Sequence, residues 1–132
     1  MNLISMTKAL FTSVPRVSPA ECAARVRAGE ALLVDVREPT EWLSGVAESA
    51  ALLPMSDLNG ARTLWRDFLA QVGQREVLTY CAVGARSGIV ARILVSEGVR
   101  AANAGALAEW RSAGWPIVPP PMADGPAKSG GR

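Results

Sequence analysis

The 132-residue chain suggests one domain, long enough to bury a core without a disulfide or metal staple. Hydrophobic residues make up 49% and charged residues 20%, as in a soluble globular protein, and a net charge of +2 is too small to argue for nucleic acid. With no histidine, Cys-His and Ser-His dyads are excluded; two cysteines, Cys22 and Cys81, form no disulfide framework and match no zinc spacing.

The N-terminus, "MNLISMTKALFTSVPRV", has one lysine and an interrupted apolar stretch without a clear cleavage site, so it does not read as a signal peptide. No apolar run approaches the roughly 20 residues that span a bilayer, so a membrane is not expected and a reducing cytoplasm is. Ser18, Pro19 and Glu21 predict a helix start with a capping box, and that helix runs to about Arg27 before Gly29. "ALLVDV" (31–36) has the near-continuous apolar character of a strand covered on both faces. "EPTEWLSG" predicts a short helix ending near Gly45, and "AALLP" (50–54) a short strand. In 61–73, Leu64, Trp65, Phe68, Leu69 and Val72 form one helical stripe stopped by Gly73. "EVLTY" (76–80) predicts a strand. The next helix, 87–98, places Ile89, Val90, Ile93 and Leu94 on one face. "VRAAN" (99–103) carries the weakest strand signal, and "LAEWRSAGW" (107–115) predicts a last short helix. Alternating strands and helices imply βαβ units and a parallel sheet. From Pro119 the composition, rich in Pro, Gly and small polar residues, predicts a disordered tail.

The stretch "LTYCAVGARSGIVARIL" (78–94) carries the chemistry. Cys81 is the first residue after a strand, where open α/β sheets bind ligands. Gly84 permits a tight turn, and the helix beginning near Arg86 aims its unpaired N–H groups and positive dipole end at the same space. Such a cradle stabilises a thiolate without a histidine. The alternative, a cysteine that only fills the core, does not account for the coincidence of strand end, glycine, arginine and helix start. Cys22 has no such context and reads as packing. Arg86 reads as a cation shared between donor binding and a pairing acid. Asp35 reads as structural, pairing an arginine or accepting loop N–H bonds. Trp42, Trp65, Trp110 and Trp115 read as core and rim packing, and Arg62, Arg66 and Asp67 as a solvated helix face.

"LLVDVREPTEW", "YCAVGARS" and "NAGALAEWRSAGWPI" resemble, in order and spacing, the landmarks of single-domain rhodaneses, over roughly residues 15 to 118. The resemblance implies a three-layer α/β fold, a five-stranded mostly parallel sheet flanked by helices on both faces. It implies an N-terminal extension over 1–13, the domain over 14–118 and the tail over 119–132. It implies sulfur transfer through a Cys81 persulfide, cradled by the loop Ala82, Val83, Gly84, Ala85 and Arg86, with Asp35, Arg37 and Ser87 in support. No cofactor and no metal is implied. The expected partners are a small sulfur donor and an acceptor that is a thiol, cyanide or a sulfur-carrier protein. Related phosphatases separate cysteine and arginine by five residues; here four lie between, a ring that fits a sulfane sulfur better than phosphate. Three positions depart from the family pattern. Ala82 stands where many members have arginine, which removes a cation for thiosulfate. "GVA" (45–47) replaces Gly-His-Ile, and Ala106 replaces the second of two glycines. The rival expectation is a rhodanese-like module that binds or regulates partners without efficient transfer.

Overall fold

The computed structural model describes residues 13–121, so the expectations for residues 1–12 and 122–132 lie outside the described residues. In chain order the elements are α1 (Pro19–Arg27), β1 (Ala31–Asp35), α2 (Pro39–Trp42), β2 (Val46–Ala47), β3 (Ala51–Leu52), α3 (Met55–Leu58) and α4 (Thr63–Leu69). They continue with β4 (Glu76–Cys81), α5 (Ala85–Ser96), β5 (Ala101–Ala106), α6 (Leu107–Ser112) and β6 (Ile117–Val118).

Four parallel strands form the central sheet in the order β3-β1-β4-β5. The expected fifth strand is reduced to one parallel bridge, Arg16 to Asn103, on the outer side of β5. Val17 N donates to Asn103 O and Asn103 N to Pro15 O, at 2.9 and 3.0 Å. A separate antiparallel pair, β2 with β6, closes the domain.

Both sheet faces are covered, which is why β1 and β4 are apolar on alternate and intervening positions alike. Val34, Val36 and Val77 pack with Leu58, Trp65, Val90, Ile93 and Leu94 from α3, α4 and α5. Leu33, Leu78 and Tyr80 pack on the other face with Cys22, Leu107 and Trp110 from α1 and α6. The indole N–H groups of Trp65 and Trp110 donate to Pro54 O and Ala104 O inside this core, and Trp115 donates to Glu48 O. Trp42 Nε1 is buried without a hydrogen-bond partner.

Local signals set the boundaries. Ser18 Oγ accepts from Glu21 N at 3.2 Å, while the Glu21 carboxylate turns to Arg25. The helix expected over 61–73 is shorter, because Asp57 accepts from the N–H groups of Thr63, Leu64 and Trp65 and fixes the start of α4 there. Leu64 and Ile89, both placed on buried stripes from periodicity, are 50% and 38% exposed: each lies at the margin of its helix's buried face.

The candidate active site

β4 is central, so its C-terminal residue, Cys81, emerges between the ends of β1 and β5. A register shift in the β4–β5 pairing between Thr79 and Tyr80 sets Cys81 beside Ala106 and Tyr80 beside Gly105. Such an irregularity re-aims a strand end. The loop then turns at Gly84, with φ of 93°, and α5 begins at once. Gly84 faces Gly105, itself at φ 89°; a Cβ on Gly105 would come within 2.3 Å of Glu109 Oε1. The Glu109 and Arg16 side-chain ends could move aside for a Cβ, so the demand for glycine at 105 comes from its positive φ.

The Cys81 side chain is fully buried, and three donors meet its sulfur. Gly84 N lies 3.0 Å from Sγ, Ser87 N 3.4 Å and Ser87 Oγ 3.4 Å. Burial pushes the thiol up, but hydrogen bonds from the Ser87 hydroxyl and from the amides of Ser87, Val83 and Gly84 outweigh it and hold the thiol below its ordinary value. Of the expected loop amides 82–86, those of Val83 and Gly84 act on the sulfur; Ser87, one residue further on, supplies both its amide and its hydroxyl. Alkylation by iodoacetamide should therefore rise with pH through a midpoint below about 8.5, the free-cysteine value. A midpoint at or above that value would remove the cradle from the account.

Asn103 is the residue that sequence reasoning missed. Its Oδ1 accepts from Gly105 N at 2.9 Å and lies 2.8 Å from Ser87 Oγ, so it competes with Cys81 Sγ for the single hydroxyl proton, and its Nδ2 donates to Gly84 O at 3.0 Å. One side chain thus ties the loop, the start of α5 and the β5 bend together. The only signal available was a lone polar residue in the small apolar run "AANAGA".

Asp35 and Arg37 form a buried ion pair. Arg37 Nε lies 3.1 Å from both carboxylate oxygens and Nη2 2.8 Å from Oδ2, while Arg37 N donates to Oδ1 at 2.9 Å. They reach the loop only at one remove. Arg37 also donates to the carbonyls of Glu41 and Gly45, at 3.2 and 2.7 Å, which fastens α2. Glu41 in turn takes Arg86 in a two-pronged pair at 2.7 and 2.9 Å. Arg86 and the backbone N–H of Glu38 bring the Glu41 carboxyl down to about 2.

Cys22 lies apart from this site, wholly buried under α1, with Sγ 3.6 Å from Val17 O. Burial raises its thiol to about 12. That is the signature of an inert packing cysteine.

Residues 18–113 match the family model of the rhodanese-like domain. The chain belongs to the rhodanese-like domain family. Among solved structures, a rhodanese-related protein of Thermoplasma volcanium superposes with a TM-score of 0.66 at 23% identity, covering 80% of this chain and 99% of that one. The human single-domain sulfurtransferase gives 0.63 at 24% identity, over 76% and 97% of the two chains. These likenesses are of fold. An uncharacterised Synechocystis protein is 36% identical over 89 residues, 66% of this chain; the match covers 46% of that protein, so this rhodanese-like domain corresponds to about half of it. Among the described residues, no helix of the domain is long and apolar enough to cross a membrane.

Proposed function

We propose that the chain is a sulfurtransferase that carries sulfane sulfur on Cys81. The observation that carries this reading is the thiol held below its ordinary value by Gly84 N at 3.0 Å and by the amide and hydroxyl of Ser87. In the first half-reaction the Cys81 thiolate attacks the outer sulfur of the donor. The donor's sulfur–sulfur bond breaks and its electron pair leaves with the remainder, sulfite in the case of thiosulfate. In the second, cyanide or a thiolate, either of a small thiol or of a cysteine on a sulfur-carrier protein, attacks the bound sulfur, and the Cys81 thiolate departs. In the persulfide the charge lies on the outer sulfur, one bond beyond Sγ, and the backbone amides of the 82–86 loop are the donors at hand to receive it. No proton-transfer residue is needed at the sulfur, in keeping with a chain without histidine. Two free cysteines suit the reducing cytoplasm as its compartment.

Incubation with a sulfane-sulfur donor should raise the intact mass by about 32 Da, one sulfur on the nucleophile. No gain with any donor would overturn the reading in favour of a binding module.

The identity of the donor turns on the loop's first residue. Ala82 is exposed and uncharged, next to the nucleophile. An arginine there would offer thiosulfate a charge-assisted contact worth about 1.5–3 kcal/mol, or roughly 10- to 150-fold in binding. Ala82→Arg is therefore expected to lower the Michaelis constant for thiosulfate by that order, with a smaller change in turnover and little change with a neutral organic polysulfane. Equal gains with both donors would show an altered loop instead of a new anion contact.

A further inference from the structure

Two arginines, Arg16 and Arg86, stand at the Cys81 loop and a third, Arg37, at one remove, and each already meets a carboxylate. Arg37 is held by Asp35 at 2.8 Å. Arg16 reaches to 3.7 Å from the place a side chain on Gly84 would occupy, and is held by Glu109 at 2.6 Å. Arg86, which belongs to the loop itself, is taken by both oxygens of Glu41. The rest of the loop rim is methyl groups: Ala82 and Ala85 are exposed, and Val83 is 77% exposed. Close by, Leu43, two residues after Glu41, is 79% exposed.

Glu41 is not a chance surface partner. Its own carbonyl is fastened by Arg37, and its Oε1 also accepts from Glu38 N at 2.9 Å. It remains ionised throughout the neutral range, since its carboxyl sits at about 2. As a contribution to stability, a pair with both side chains 34% exposed is minor. Its consequence lies in binding. A multiply charged anion approaching Cys81 must either detach Arg86 from Glu41 or approach with the Glu41 charge beside it, and repulsion of this kind is a standard means of specificity.

Resting on the sulfurtransferase reading, we infer that Glu41 is a specificity-determining residue, which turns the site from the thiosulfate dianion toward sulfane sulfur carried on an organic group, an alkyl persulfide. The step balances. The Cys81 thiolate attacks the terminal sulfur of R–S–S⁻, the new Cys81 sulfur–sulfur bond forms as the donor's breaks, and R–S⁻ leaves with the electron pair. One negative charge stays on the persulfide and one departs with the thiolate.

The test is Glu41→Gln, which keeps the volume and an oxygen for Glu38 N but removes the charge. Steady-state kinetics are run with thiosulfate and with ethyl persulfide. The Michaelis constant for thiosulfate is expected to fall at least about tenfold, with turnover and the ethyl persulfide constant within about twofold of wild type. Glu41→Asp, which keeps the charge, should stay at the wild-type thiosulfate constant. Glu41→Gln combined with Arg86→Gln should lose the gain. An unchanged thiosulfate constant in Glu41→Gln, or an equal shift with both donors, would overturn the inference while leaving sulfur transfer in place. A wild-type protein that gains no sulfur from either donor would instead overturn the reading on which the inference rests.

Discussion

Cys81→Ser should reduce sulfur transfer to the uncatalysed background and leave the fold intact. The hydroxyl is close in shape, and Gly84 N and the Ser87 groups that now meet Sγ can donate to an oxygen in its place. An alkoxide is not accessible in this field, and no sulfur–sulfur bond can form, so covalent catalysis is lost entirely. Cys22→Ser is the control. Its thiol, raised to about 12 by burial, is never a nucleophile at neutral pH, and activity should persist despite some loss of stability. Activity assays on both variants, with thermal unfolding to verify the fold, decide the matter. Loss of activity in Cys22→Ser together with its retention in Cys81→Ser would reverse the assignment.

The largest stability effect is expected at Asp35. Its carboxylate is fully buried and takes the guanidinium and the backbone N–H of Arg37, which is 3% exposed. Asp35→Ala leaves that cation buried without its counter-charge, a change that costs about 3–5 kcal/mol. Against a total stability of about 5–15 kcal/mol for a domain, the urea midpoint should fall by a large fraction. Asp35→Asn should lie between the variant and wild type, because it restores acceptors but not charge. A loss in Asp35→Ala below about 1 kcal/mol would mean that Arg37 reaches solvent or a new partner. Since Arg37 also holds the carbonyls of Glu41 and Gly45, sulfur transfer should weaken in Asp35→Ala even under conditions where the protein is folded.

What the sequence made legible is what short-range chemistry determines. Ser18 and Pro19 supply the cap and first turn of α1, Gly98 at φ 89° follows the end of α5, and the Cys81–Ser87 stretch builds its cradle from its own amides and the Ser87 hydroxyl. For Asp35 the sequence left an arginine and a loop N–H as alternative partners, and Arg37, two residues away, supplies both. Contacts between distant segments were not legible. Glu41 and Arg86 are 45 positions apart, and nothing in "PTEW" indicates which cation the glutamate meets. The β2–β6 pair is two residues on each strand, too short to raise a periodicity, and depends on closing the chain end onto Val46 and Ala47. Asn103 lay in the segment with the weakest strand signal, because its role comes from a bend in β5 that only the neighbouring β4 reveals. Leu64 and Ile89 show the limit of helical stripes: periodicity gives a face, and the sheet beneath decides how wide a strip of it is covered.

The rudimentary pairing at Arg16 bears on solubility. A parallel sheet ends in two rows of unsatisfied amides and carbonyls, and a long bare row can recruit the corresponding row of another molecule. Here one outer strand, β3, is two residues long. The other, β5, is six residues of small side chains, and the segment Pro15–Val17 covers its middle by bonding to both main-chain groups of Asn103. The few residues ahead of α1 therefore stand where the edge of a second sheet would otherwise pair.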